Sequence, residues 1–153
     1  MPPSDALKPL WAKQESVEVG AEPAFAFRYL ASIENMAADP GIERVEADGL
    51  SRDRPGMHGK THLVGGGSID WVVADAEADR QMVIDLMLPD ACVRFELRFE
   101  PREGGGTIFT QRVSLFGPNA ADHLEGAEAG FATSLRDGML AVRDRIDAAA
   151  AER

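Results

Sequence analysis

The stretch from Val93 to Glu100 alternates without interruption between apolar and charged side chains. Valine, phenylalanine, leucine and phenylalanine occupy the odd positions, and arginine and glutamate occupy the even ones. Successive side chains of a strand point to opposite faces of a sheet, so this pattern is typical of a strand with one dry face and one wet face. The chain must therefore supply neighbouring strands around it and a layer that covers the dry face.

Other segments have strand character and are separated by turn residues at hairpin intervals. Gly65-Gly66-Gly67, Pro89-Asp90 and Glu103-Gly104-Gly105-Gly106 are such separators, and they predict that neighbouring strands pair as antiparallel hairpins. The predicted strands, seven in all, are 14–19, 42–48, 57–64, 68–75, 81–88, 92–100 and 107–116.

Helical spacing predicts a helix over 22–32, a short second helix over 33–38 and one long final helix that starts at Pro118-Asn119, with Asn119 as its N-cap. The final helix carries one apolar stripe, formed by Leu124, Phe131, Leu135, Met139, Val142 and Ile146. Gly138 falls on the same face as Phe131 and Leu135, where either a need for space or a close approach would explain a glycine. The tail from 148 to 153 is expected to fray because it has little to bury.

The chain has 153 residues, enough for one domain, which we place at 14–153 after a lead-in segment over 1–13. Its net charge of -10 repels phosphate backbones, so no nucleic-acid partner is predicted. The sequence lacks a long apolar run and a basic-then-apolar start, which predicts a cytoplasmic protein without membrane insertion. Cys92 is the single cysteine, and a small buried hydrophobe is its expected role.

Four local segments resemble one superfamily. They are Ala26 to Asn35, Asp70 to Met82, Gly106 to Val113 and Gly130 to Leu135. Together with the order of strand, two helices, six strands and long helix, they are similar to the START-related, birch-pollen-allergen-like SRPBCC superfamily, and most to its polyketide cyclase/dehydrase branch. The resemblance covers about residues 14 to 147.

The resemblance implies an α+β helix-grip fold, in which a curved seven-stranded antiparallel sheet, two short helices and a long C-terminal helix enclose a cavity. The implied lining residues are Tyr29, Trp71, Val73, Ile84, Leu86, Phe95, Leu97, Phe109, Gln111, Val113, Phe131, Leu135 and Met139. Periodicity alone shows only burial, so a plain core position is the alternative for each apolar member. Gln111 interrupts an inward apolar series, where its amide either meets a ligand or bonds to a neighbouring strand.

His58 and His62 lie four residues apart on a predicted strand and therefore share a face. The apolar pattern of the strand puts Met57, Thr61 and Leu63 inward and so sends both histidines to solvent. Aligning Gly59 with the family's strand-opening glycine instead turns His62 towards the cavity. No metal site is predicted, since the third histidine lies on the final helix.

The predicted function is binding or transport of a small hydrophobic molecule, lipid-like or aromatic and polyketide-like. One alternative is a cyclase or dehydratase that uses the same cavity, with Gln111, Tyr29 or His62 handling protons. Another is a protein-binding module similar to the heat-shock ATPase activators. No cofactor is predicted. The sequence does not identify catalytic residues or the oligomeric state, for which a dimer is one alternative.

Overall fold

A single seven-stranded sheet forms the body of the computed structural model, which describes residues 8–132 and 134–152. The strands are β1 (Trp11–Val19), β2 (Ile42–Ala47), β3 (His58–Leu63), β4 (Ser68–Glu77), β5 (Gln81–Leu88), β6 (Ala91–Pro101) and β7 (Thr107–Phe116). Their order is β1-β7-β6-β5-β4-β3-β2, with every neighbouring pair antiparallel. The predicted sheet is confirmed, and β1 begins three residues earlier than the predicted start at residue 14.

The helices cover one face of this curved sheet. They are α1 (Pro23–Ala31), α2 (Ile33–Ala37), a 3-10 turn (Ala120–His123), α3 (Leu124–Phe131) and α4 (Ser134–Ala151). The predicted long C-terminal helix is confirmed, but a 3-10 turn precedes it after Pro118-Asn119, and residue 133, between α3 and α4, lies outside the described residues. Asn119 does not cap the 3-10 turn through its side chain, and its amide instead donates to Asp90 Oδ2 at 3.2 Å.

The core lies between the inner face of the sheet and α4. Leu135, Met139 and Ile146 are buried in one apolar cluster with the inner side chains of the strands, as the stripe on the sequence predicts. Phe99 stacks on Phe109 with ring centroids 5.2 Å apart, and Phe27 of α1 meets Phe99 edge-on at 5.6 Å. Apolar burial of this kind is the main stabilising term of such a domain.

Two expectations about α4 are wrong. Gly138 is exposed, and a Cβ added there would have no atom within 4 Å outside the helix's own backbone, so no close approach explains the glycine. The end of the helix is also ordered as far as Ala151, and Ala150 packs against the core. Asp147 holds this end in place, since its carboxylate accepts the backbone N–H groups of Gly20 and Ala21 at 3.3 and 3.0 Å.

The sheet has two edges, β1 and β2. On β1, Arg136 Nη1 from α4 donates to the carbonyl oxygen of Ser16 at 3.1 Å. The β2 strand is only six residues long, and its register with β3 shifts between Ile42 and Arg44. Such edges matter because unpaired strand groups are templates for further pairing.

Candidate functional site

The thirteen residues implied as a lining divide into two groups. Eight are core positions with at most 8% exposure, namely Trp71, Val73, Ile84, Leu97, Phe109, Val113, Leu135 and Met139. Five are partly exposed, namely Tyr29, Leu86, Phe95, Gln111 and Phe131. The second group is the informative one, because a ligand can touch only atoms that are accessible.

Three of these five lie in the middle of the inner face of the sheet. Leu86, Phe95 and Gln111 belong to β5, β6 and β7, each of which has a paired strand on both sides. Phe95, for example, stands between Ile84 and Val113 in the register, and both neighbours are buried. A mid-sheet side chain flanked in this way is accessible only where the layer above it is incomplete. A space of at least water size therefore adjoins these side chains.

Phe131 of α3 packs against this part of the inner face. Its ring meets Phe95 edge-on at 5.8 Å and stacks against Trp11 at 6.0 Å. Lys13 Nζ donates to the carbonyl oxygen of Ala132 at 2.8 Å, which satisfies a carbonyl just beyond the end of α3. We call the partly exposed surface formed by Leu86, Phe95, Gln111 and Phe131 the mid-sheet cleft.

Gln111 is the polar member of the mid-sheet cleft. Within the part of the chain that the structure describes, its carboxamide has no hydrogen-bond partner, although the residue is partly buried between Leu97 and Glu15. The alternative of a glutamine bonded to a neighbouring strand therefore finds no partner among these residues. An amide placed this way can donate to and accept from a ligand.

The histidines point away from the mid-sheet cleft, onto the outer face. Gly59 faces inward, where Trp71 crosses it, and Thr61 is buried and accepts a hydrogen bond from Trp71 Nε1 at 3.0 Å. His62 therefore lies on the other face, where its Nε2 is 2.5 Å from Glu46 Oε2. This hydrogen bond, followed by the charge of the nearby Arg44, lowers the pKa of Glu46 below 4.5. Of the two orientations that the sequence allows for His62, the outward one is confirmed.

Cys92 also faces away from the cleft. Burial, followed by the neighbouring Asp85 carboxylate, raises the pKa of the thiol to about 12. Asp85 itself is held by Arg94 through two hydrogen bonds of 2.7 and 2.9 Å. Because the thiolate is the reactive form, Cys92 is unsuited to a nucleophilic role. No cluster of three or more histidine, cysteine or acidic residues fit for a metal occurs within 8–132 and 134–152.

Tyr29 lies in a different place from the other lining residues. It borders a pocket of about 130 Å³ between α1, α2, β2 and α4. Arg52 and Arg145 line the same pocket. The sequence interpretation missed Arg52 because Arg52-Asp53-Arg54-Pro55-Gly56 is a typical turn sequence. Three further surface pockets are lined mainly by polar residues, and none of the four contains Phe95, Gln111 or Phe131.

The strand order and the covering helix define the helix-grip class of folds. The chain belongs to the family described as polyketide cyclase/dehydrase and lipid transport, whose model matches residues 12–147. This match confirms the resemblance found in the sequence. No curated protein matches the sequence. No helix among the described residues has the length and apolar content required to cross a bilayer.

Solved structures share the fold at low sequence identity. A protein from Nitrosomonas europaea is 13% identical with a TM-score of 0.70, covering 92% of this chain and 96% of its own. A protein of unknown function from Staphylococcus aureus is 14% identical with a TM-score of 0.70, covering 94% and 96%. The di-domain ARO/CYC BexL from the BE-7585A biosynthetic pathway is 14% identical with a TM-score of 0.65, covering 90% of this chain and 48% of its own.

Proposed function

We propose that the protein binds a small hydrophobic molecule in the mid-sheet cleft. The observation that carries the proposal is the partial exposure of Leu86 and Phe95 at positions flanked by strands on both sides. Each 100 Å² of apolar surface that a ligand covers there contributes about 2.5 kcal/mol before the costs of association. The family description, which includes lipid transport, supports the same class of ligand.

The polar chemistry of the cleft favours binding over catalysis. The carboxamide of Gln111 does not titrate, so it can orient a carbonyl or hydroxyl of the ligand but cannot transfer a proton at neutral pH. The ionisable groups nearest to it in the register have partners: Lys13 bonds to Ala132, and Glu15 lies 3.6 Å from Arg136. We therefore place the cyclase or dehydratase alternative second. The cytoplasmic location and the lack of a nucleic-acid partner remain predictions.

The test uses prodan, a neutral naphthalene ketone whose fluorescence shifts to the blue in an apolar site. We expect the wild-type protein to bind it, and Leu86→Asp to abolish binding because a carboxylate in the cleft loses its hydration when the probe enters. Met87→Asp is the matched control, since Met87 is the next residue on β5 and is 51% exposed on the outer face. If Leu86→Asp fails to fold, the nearly isosteric Gln111→Glu replaces it.

A second measurement concerns the polar contact. Gln111→Leu keeps the size of the side chain and removes the amide, so binding of prodan, which carries a carbonyl, should weaken about tenfold for the loss of one hydrogen bond. Binding of 2-ethylnaphthalene, which has no carbonyl, should not weaken. An absence of prodan binding to the wild type, or equal binding by Leu86→Asp and Met87→Asp, would contradict the proposal and favour the protein-binding alternative.

A further inference from the structure

The pocket between α1, α2, β2 and α4 contains a partly buried guanidinium without a charged partner. Arg52 Nη2 donates to the carbonyl oxygen of Leu30 at 2.5 Å, and its guanidinium carbon lies 5.9 Å from the centre of the Trp71 ring. Its Nε is buried and has no hydrogen-bond partner. Among the described residues no carboxylate forms an ion pair with Arg52. An uncompensated buried charge is strongly unfavourable.

A second guanidinium in the same pocket also has an unpaired Nε. Arg145 Nε is also buried without a partner. Its Nη2 reaches Asp39 Oδ2 only at 3.5 Å, and Asp39 uses its other oxygen to accept the N–H of Gly41 at 2.8 Å. The pocket is thus lined by two guanidinium groups and one carboxylate. Both arginines line this pocket, and the buried Nε of each shows that the protein leaves donors of both guanidinium groups unpaired. Guanidinium groups are suited to binding a carboxylate through paired N–H donors.

Part of what Arg52 does is structural. Its backbone N–H donates to the carbonyl oxygen of Ala31 at 2.8 Å, and its side chain bonds Leu30, so the arginine helps to hold the end of α1. That role uses only one of the five N–H bonds of the guanidinium. It therefore leaves the buried Nε unexplained. Burial alone lowers the pKa of Arg52 to about 10, which shows how little opposite charge surrounds it.

We propose that this pocket binds the carboxylate group of a small organic acid, with Arg52 and Arg145 as its donors. A volume of about 130 Å³ holds about four waters, enough for a carboxylate and a few carbon atoms. Leu30, Met36, Ile42 and Val142 supply apolar walls, which suit a short carbon chain better than a hydrated inorganic anion. The site shares no residue with the mid-sheet cleft, so it does not depend on the proposed function.

The experiment follows the arginine Nε–H resonances of the whole protein by NMR at constant ionic strength, with Arg52→Lys and Arg145→Lys for assignment. Butyrate should shift the Nε–H signals of Arg52 and Arg145, whereas butyramide, its neutral analogue, and inorganic phosphate should not. Arg145→Lys should weaken butyrate binding at least tenfold, because lysine lacks the planar pair of donors. The same titration with octanoate compares two kinds of ligand. Weaker binding of octanoate than of butyrate indicates a free short acid, and equal or tighter binding indicates the acidic end of a longer molecule.

Arg143→Lys is the matched control, because Arg143 lies on the same helix, pairs with Asp144 and is absent from this pocket. It should bind butyrate as the wild type does. The proposal is overturned if butyrate shifts neither Nε–H signal, if butyramide shifts them equally, or if Arg143→Lys weakens binding as much as Arg145→Lys. If Arg52→Lys does not fold, Arg145→Lys alone decides. Prodan binding should be unchanged in Arg145→Lys, which separates this site from the mid-sheet cleft.

Discussion

Replacing Gly59 by alanine should destabilise the protein strongly, because the inner face of β3 has no room for a Cβ. That atom would lie 2.3 Å from Cζ2 of Trp71 and 2.6 Å from the backbone oxygen of Glu46. The oxygen belongs to the neighbouring strand, and the ring is fixed by its 3.0 Å hydrogen bond to Thr61. Overpacking costs about 1 to 3 kcal/mol, and losing the indole bond adds about 1 kcal/mol, so we expect a loss of about 3 kcal/mol.

The same substitution at Gly138 should have the opposite effect on the stability of the protein. This glycine lies inside α4, is exposed and has open space where the Cβ would stand. Alanine is favoured over glycine in a helix interior by about 1 kcal/mol, so Gly138→Ala should stabilise the protein by about that amount. The two variants change the same atoms, and only the surroundings differ.

Urea unfolding followed by tryptophan fluorescence measures the change in the free energy of unfolding for both variants, and thermal unfolding followed by circular dichroism measures the change in Tm. For a domain of this size about 1 kcal/mol corresponds to 2 to 4 °C in Tm, so Gly59→Ala should melt about 6 to 12 °C lower and Gly138→Ala about 2 to 4 °C higher. If Gly59→Ala is as stable as the wild type, the Trp71 ring does not lie over Gly59. If Gly138→Ala loses stability, the outer face of α4 is not open there.

Other expected outcomes concern single groups. The pKa of Glu46 is lowered in the folded protein, so its ionised carboxylate stabilises the fold above the unfolded pKa, and this stabilisation is lost as the pH falls through the folded pKa. An NMR titration should show that His62→Ala raises the pKa of Glu46. Cys92, with its pKa raised to about 12, should react with iodoacetamide at pH 8 far more slowly in the folded protein than in urea, and equal rates would contradict its burial. Asp147→Ala should cost about 1 to 3 kcal/mol in urea unfolding through two lost hydrogen bonds, whereas Asp144→Ala, exposed on the same helix, should cost under 0.5.

The sheet could be predicted because its signals are local. The alternation from Val93 to Glu100 fixes which face of β6 is dry, and the glycine-rich turns fix the antiparallel neighbours. The partners of the final helix could not be predicted in this way. The apolar stripe shows only which face of the helix is buried, whereas the ring contacts of Phe131 with Trp11 and Phe95 and the bond from Lys13 to Ala132 join residues that are far apart in sequence.

The two candidate sites differ in the same way, because one could be predicted from the sequence and the other could not. The inward position of Gln111 follows from the period of β7, so the sequence could single it out. Arg52 and Arg145 meet in one pocket only when the loop that carries Arg52 docks on α1 and Arg145 of α4 reaches Asp39. Neither the turn sequence nor the helix period contains that information. Only the three-dimensional structure shows that the guanidinium of Arg52 is partly buried.

The short, charged β2 has a consequence for how the protein behaves at high concentration. A sheet that stays open on one side can recruit a strand from another molecule and grow into an aggregate. Glu43, Arg44 and Glu46 are exposed on this strand, and the register shift between Ile42 and Arg44 interrupts the regular ladder. A second molecule that approached this edge would have to bury those charges, so the charges on β2 disfavour the addition of a strand at this edge.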